Sequence, residues 1–328
     1  MSQLLYEVMC ALRDQQSGIR PHRRVRVDAH ATAVARASRV ERIRRQRALK
    51  RAADGVADGW ADEIEDEVSA LRSAAPLGAL AAAVRDRDAR RAERAAVPKP
   101  VLERSAPATL GKGVAVGRRT TQAELTGSAA KGAAELGRRP EAGQRAAAWA
   151  KTRSASLVRE VTDETRAAVR GAVERAVAAG THPTAAARDV RQIVGLHSRQ
   201  AAAVSRYRVG LAASGLKPSM VEQRSARYAE QLLRQRAETI ARTECFAALN
   251  RGRADLWEEL VREGVVERGR MVRTWMSARD ERTEDVCLAL DGQQVGLEEP
   301  FSSIEGDIFE PPVHPRCRCT LLIEEVSR

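Results

Sequence analysis

A mainly α fold is predicted for this 328-residue chain: a helical body with a small C-terminal α+β module, preceded by an N-terminal half of Ala/Arg-rich helices and a linker. Three observations lead there. Aromatic residues make up only 3% of the chain, and alanine supplies much of the 43% hydrophobic fraction. A thick β-sandwich core leans on β-branched and aromatic side chains and is excluded; thin, alanine-lined helix packing suits this composition, since each alanine buries little. Apolar residues recur three or four apart through the body of the chain, and only after Gly264 does the spacing change to loose alternation.

Residues 1–97 read as the Ala/Arg-rich helical region. Arginines are dense over 23–51, where helical periodicity is weak. Over 56–71, Val56, Trp60, Ile64, Val68 and Leu71 fall on one helix face, and Asp58, Asp62, Glu63, Glu65 and Asp66 fill the others. This acidic helix is expected to end at Pro76 and to fold back on the basic stretch before it. Residues 98–153 contain Pro98, Pro100, Pro107 and Pro140 with glycines throughout, and few large apolar side chains. They read as an irregular linker that cannot offset its ordering entropy.

Residues 154–264 read as a helical body. Val161, Val169, Val173 and Val177 mark a helix ending near Gly180. Pro183 suits the first turn of a second helix, closed by Gly195. Ser198 is expected to cap a third, stopped by Gly215. Ser219 and Glu222 form an S-x-x-E capping box for a long helix reaching Arg262. Residues 265–328 read as a β-containing Cys/His module. There 272–276 alternates as a strand, Asp291-Gly292 signals a hairpin turn and 319–323 reads as a buried strand.

The formal charge is +12, and 50 of the 56 basic residues are arginine. Residues 1–53 hold 13 basic against 4 acidic residues and 98–153 hold 11 against 4, whereas 261–328 hold 9 against 14. The positive charge is thus a property of the N-terminal half. Arg42, Arg44, Arg45, Arg47, Arg118 and Arg119 are the candidates for contact with nucleic-acid phosphates or an acidic partner surface. The scarcity of aromatics argues against a single-strand stacking platform. No apolar run approaches the ~20 residues a membrane span needs. Residues 1–12 lack a basic n-region and carry Glu7, so they do not read as a secretory signal.

Two constellations carry chemistry. Cys287, His314, Cys317 and Cys319 crowd into the last 42 positions. On a strand, Cys317 and Cys319 share a face, with His314 three residues earlier. Structural zinc, a disulfide from Cys287 to Cys317 or Cys319, unmodified buried thiols and a catalytic Cys–His pair all fit this pattern. The catalytic reading is weakest, because no oxyanion site, P-loop or dinucleotide fingerprint accompanies it. The second constellation is Glu244, which falls on the apolar stripe of Ala237, Ile240, Ala241 and Ala248. A buried carboxylate needs a partner, and Arg282 is the candidate. Glu238 and Arg242 are expected to pair at i,i+4.

Together these residues resemble the phage Mu F-like family of minor head (head morphogenesis) proteins of tailed bacteriophages. The resemblance rests on Arg236-Ala-Glu-Thr-Ile-Ala-Arg-Thr-Glu244, Ala248, Asn250, Gly252, Trp275, Asp280-Glu-Arg-Thr283, Cys287, Leu290-Asp-Gly292 and Pro311-Pro-Val-His-Pro-Arg-Cys-Arg-Cys319. It covers about 180–323. It implies a virion protein of the head interior or portal vertex that acts in head morphogenesis and DNA packaging or ejection. The implied partners are the portal protein, other head or scaffold proteins and double-stranded DNA, with no membrane and no enzymatic activity. The alternative is a zinc-dependent enzyme or toxin effector carried on such a domain. Family members often have a further cysteine where this chain has Glu284. A four-cysteine site is therefore excluded, and a metal would use His314 or a water.

Overall fold

The computed structural model describes residues 29–325 except 140 and 305, with side chains from residue 43 onward. The chain divides into two units, Met1–Arg45 and Gln46–Arg328. The described part of the first unit is helical and belongs to α1 (Ala29–Ala74). The expected hairpin between the basic and acidic stretches is thus replaced by one helix. No Pro interrupts residues 45–56, the helix runs through Asp54-Gly55, and Lys50 pairs with Asp54 one turn on.

In the second unit α1 is followed by α2 (Leu77–Arg85), α3 (Ala89–Ala96), α4 (Ser105–Glu124), α5 (Gly127–Leu136) and α6 (Gln144–Ala178). Then come α7 (Pro183–Ile193), α8 (Ser198–Ala213) and α9 (Pro218–Arg262). Val56, Trp60, Ile64 and Val68 are all buried, as their spacing predicts, in one core with Leu80, Leu110, Val169, Leu196 and Ala241.

The stretch 98–153 is not irregular. It forms α4, α5 and the start of α6, and Leu110, Val114 and Leu136 are buried. The glycines that suggested a linker have a different use. A Cβ on Gly117 would lie 2.1 Å from the Leu249 carbonyl oxygen, and one on Gly252 would lie 2.1 Å from that of Val114. The two helices therefore touch backbone to backbone, each glycine facing the other helix. Close approach replaces large side chains as the source of packing.

Two helix starts also differ from expectation. At α8, His197 is the N-cap, its Nδ1 accepting from the Gln200 N–H at 3.4 Å. At α9, Pro218 occupies the first turn behind Lys217, which places Ser219 inside the helix, and no capping box forms. Gly195 and Gly215 end α7 and α8 with positive φ, as predicted.

The module contains β1 (Met271–Met276), α10 (Asp285–Leu290), β2 (Gln294–Gly296), β3 (Phe301–Ser303), β4 (Gly306–Ile308) and β5 (Thr320–Glu325). The strand order is β2-β1-β5, antiparallel throughout, with Arg273 opposite Val295 and Trp275 opposite Leu321. Strands β3 and β4 form a separate hairpin. Asp291-Gly292 joins α10 to β2 rather than two strands, because Asp285 opens a short helix over the preceding Leu and Ala residues. Trp275 and Phe301 meet edge to face at 5.2 Å. They share a core with Leu256 and Leu260 of α9, so the module is built onto the end of the long helix. No helix of the described residues is long and apolar enough to cross a membrane.

Candidate metal centre

The module's loop after β4 carries His314, Cys317 and Cys319, and α10 carries Cys287. The structure brings Cys287, His314 and Cys317 together, with their ligand atoms all within 4.8 Å of one another. Cys287 Sγ lies 3.0 Å from His314 Nε2 and 3.8 Å from Cys317 Sγ. Cys319, the fourth residue expected in the site, is buried nearby but stands outside this cluster. The cysteines are buried, whereas His314 is half-buried.

The electrostatics distinguish the three sulfurs. Hydrogen bonds from the Cys287 and Cys319 thiols, then from backbone at Cys319 and Val313, favour the thiolate at Cys317 and hold its pKa far below the usual range. The bond to Cys317 pushes Cys287 up to about 12. Cys319 is pushed up by its bonds to Cys287 and Cys317 and by burial. His314 Nδ1 lies 2.9 Å from the Pro315 carbonyl oxygen. A carbonyl can only accept, so Nδ1 carries a proton there, and Nε2 faces the Cys287 thiol.

This donor set fits a tetrahedral soft cation. A Zn–S bond of ~2.3 Å implies a sulfur–sulfur edge of about 3.8 Å, and the Cys287–Cys317 separation is 3.8 Å. The matching sulfur–nitrogen edge is about 3.5 Å, so His314 would move outward by roughly half an ångström. The four described cysteines are free thiols, and 3.8 Å is far beyond the ~2.05 Å of a disulfide.

Both arginines of the His314–Cys319 run hold the loop in place. Arg316, with φ of 63°, reaches across to α9. Its backbone N–H donates to Thr243 Oγ1 at 2.9 Å, its Nε to Thr239 Oγ1 at 2.7 Å and its Nη2 to the Gln235 carbonyl at 3.1 Å. Arg318 pairs with Asp280, whose carboxyl it holds down to about 2 with help from the Arg282 backbone N–H. Glu238, expected to pair with Arg242, faces Arg316 instead, and Arg242 lies 3.8 Å from Asp58. The signal for this clamp is in the sequence: Gln235, Thr239 and Thr243 are four apart and share one face of α9.

Glu244 is buried on its stripe, but its partner is Arg153 of α6, with Nε to Oε2 at 2.8 Å. Arg282 is exposed, and its backbone N–H serves Asp280. The correction follows from α6 starting at Gln144, which lays Arg153 along α9.

The basic candidates divide. Arg44, Arg47 and Arg119 are exposed, Arg45 is half-buried, and the Arg42 side chain lies outside the described residues. Arg118 is turned inward: it pairs with Asp255 and, at 2.8 Å, with Glu259 across the α4–α9 crossing. Charge counting could not separate it from Arg119. The neighbouring Arg253, 1% exposed at its side chain, pairs with Glu124 at 3.1 Å.

Residues 167–322 match the family described as "Phage Mu protein F like protein". No curated protein and no solved structure matches the chain. The matched stretch runs from α6 into β5 and contains every residue of the thiol–imidazole cluster and of the Arg316 clamp.

Proposed function

Through residues 167–322 the chain belongs to the phage Mu protein F like family of head morphogenesis proteins, and from that premise we propose that it is a minor head protein docked at the portal vertex, acting in DNA packaging or ejection. The observation that supports this reading is the use made of the motif residues. His314 and Cys317 cluster with Cys287, while Arg316 and Arg318 tie the loop to α9 and to Asp280. They make a rigid module on a helical body, which suits an assembly role rather than catalysis.

In this reading Cys287, His314 and Cys317 hold a structural zinc ion, with Cys319 beside them as a further donor. When bound, the metal ties the loop to α10 beside the small core that the module shares with α9. Exposed Arg44, Arg47 and Arg119 contact duplex phosphates without sequence preference. The test is co-purification of the tagged full-length chain with portal protein from cells making heads, followed by elemental analysis. Recovery of portal with about one zinc per chain supports the proposal. Recovery of neither removes it.

A further inference from the structure

A cleft of about 390 Å³ opens between α6, α9 and the extended run 310–315. Trp149, Ala247, Pro311, Pro312 and Val313 form apolar walls, and Arg153, Glu244 and Glu310 bring charge. The first two charges answer each other: Arg153 binds Glu244 and also Glu160, at 3.0 Å. Glu310 has no such answer. It makes neither a hydrogen bond nor a salt bridge among the described residues, although burial is the main influence on its carboxyl and raises its pKa. The charge of Arg251 opposes that effect, Glu258 adds to it and Arg273 opposes it, and the net shift is upward.

Glu310 is half-buried and unpaired, whereas the fully buried carboxylates of the described residues are paired. Glu93 is held by Arg170, Glu244 by Arg153, and Asp255 and Glu259 by Arg118. A carboxylate partly withdrawn from water without a partner costs some stability, and such a cost is retained where a site needs the group. The carboxylates and guanidinium that line the cleft are Glu310 and Glu244 against Arg153, which leaves one net negative charge. An anion is therefore repelled, and a purely apolar guest would bury Glu310 without a partner.

We propose that this cleft receives an arginine side chain of a partner protein, its guanidinium on the Glu310 carboxylate and its stem over Trp149 and the prolines. A planar guanidinium suits both surfaces, since it binds carboxylate in a fork and stacks on an indole. The volume exceeds one side chain and admits the flanking backbone of a short segment. The inference goes beyond the assembly role and stands or falls separately from it.

The test uses the full chain, labelled with ¹⁵N, and follows the tryptophan indole signals, with Trp149 assigned from Trp149→Phe. The probes are the capped peptide Gly-Arg-Gly and its citrulline counterpart, which has the same shape but no charge. The arginine peptide is expected to shift the Trp149 indole, with the citrulline peptide at least tenfold weaker. Glu310→Gln is expected to reduce the arginine response to the citrulline level while melting no lower than the wild type. Equal responses to the two peptides, an undiminished response in Glu310→Gln, or no response at Trp149 would each overturn the proposal. So would a marked loss of stability in Glu310→Gln, because it would show the carboxylate to be already in use within the fold.

Discussion

Replacing Gly117 with alanine tests the α4–α9 crossing on which the helical reading of residues 98–153 depends. The new Cβ would lie 2.1 Å from the Leu249 carbonyl oxygen, against 3.4 Å for the start of ordinary contact. The obstacle is backbone in the middle of a helix, so no side chain can rotate away. The helices must part by more than an ångström along a seam that includes Val114, Ala248 and Leu249, all buried. Overpacking of this kind costs about 1–3 kcal/mol or more, while alanine returns about 1 kcal/mol of helix propensity. A net loss of about 1–2 kcal/mol is expected, and Gly252→Ala should behave alike because its Cβ meets the Val114 oxygen at the same 2.1 Å. Gly111 lies on the same helix with nothing within 4 Å of its Cβ position, so Gly111→Ala should gain up to about 1 kcal/mol. Urea unfolding followed by far-ultraviolet circular dichroism measures all three. If Gly117→Ala proves as stable as Gly111→Ala, the crossing is wrong and the linker reading returns.

Further predictions follow from the module and its supports. Chelation is expected to remove about one zinc per chain and to lower the melting temperature, and Cys287→Ser and Cys317→Ser should each cut bound zinc at least tenfold by elemental analysis. In double-mutant cycles Glu244 should couple to Arg153 by about 1–3 kcal/mol and to Arg282 by nothing measurable; the reverse would restore the Arg282 pairing. Asp280 is held down to about 2 from an ordinary 3.8 by Arg318. Its folded value is depressed, so its contribution is present above pH 3.8 and lost as pH falls toward 2. The stability difference between wild type and Asp280→Asn should therefore shrink over that window, and shrink with salt, since Asp280 is partly exposed. A constant difference from pH 5 to pH 2 would contradict it.

Some of the fold was legible because local rules and tertiary packing agreed. The face of Val56, Trp60, Ile64 and Val68 is buried, the positive-φ glycines at 195 and 215 stop their helices, β1 stands where the alternation put it and β5 where the buried strand was read. The α4 helix was hidden for a physical reason. Glycine marks irregular chain when it faces solvent, but marks close approach when it faces another helix, and spacing alone does not say which. Of the site, the grouping of Cys287, His314 and Cys317 was visible in their proximity along the chain. Charge partners were not visible. Arg118 and Arg119 are adjacent and chemically identical, yet only the first is turned toward Asp255 and Glu259. Glu244 was rightly placed on the buried stripe, and its partner Arg153 lies 91 residues away on a helix whose start the sequence obscured.

The central claim is that this chain is a structural component of a phage head, and quantitative mass spectrometry of purified proheads and virions from a phage carrying it tests that claim most directly. The account predicts that the chain is present in these particles at a few copies beside the abundant capsid protein. Its absence from both particles, with the protein abundant in the infected cell, would contradict the account.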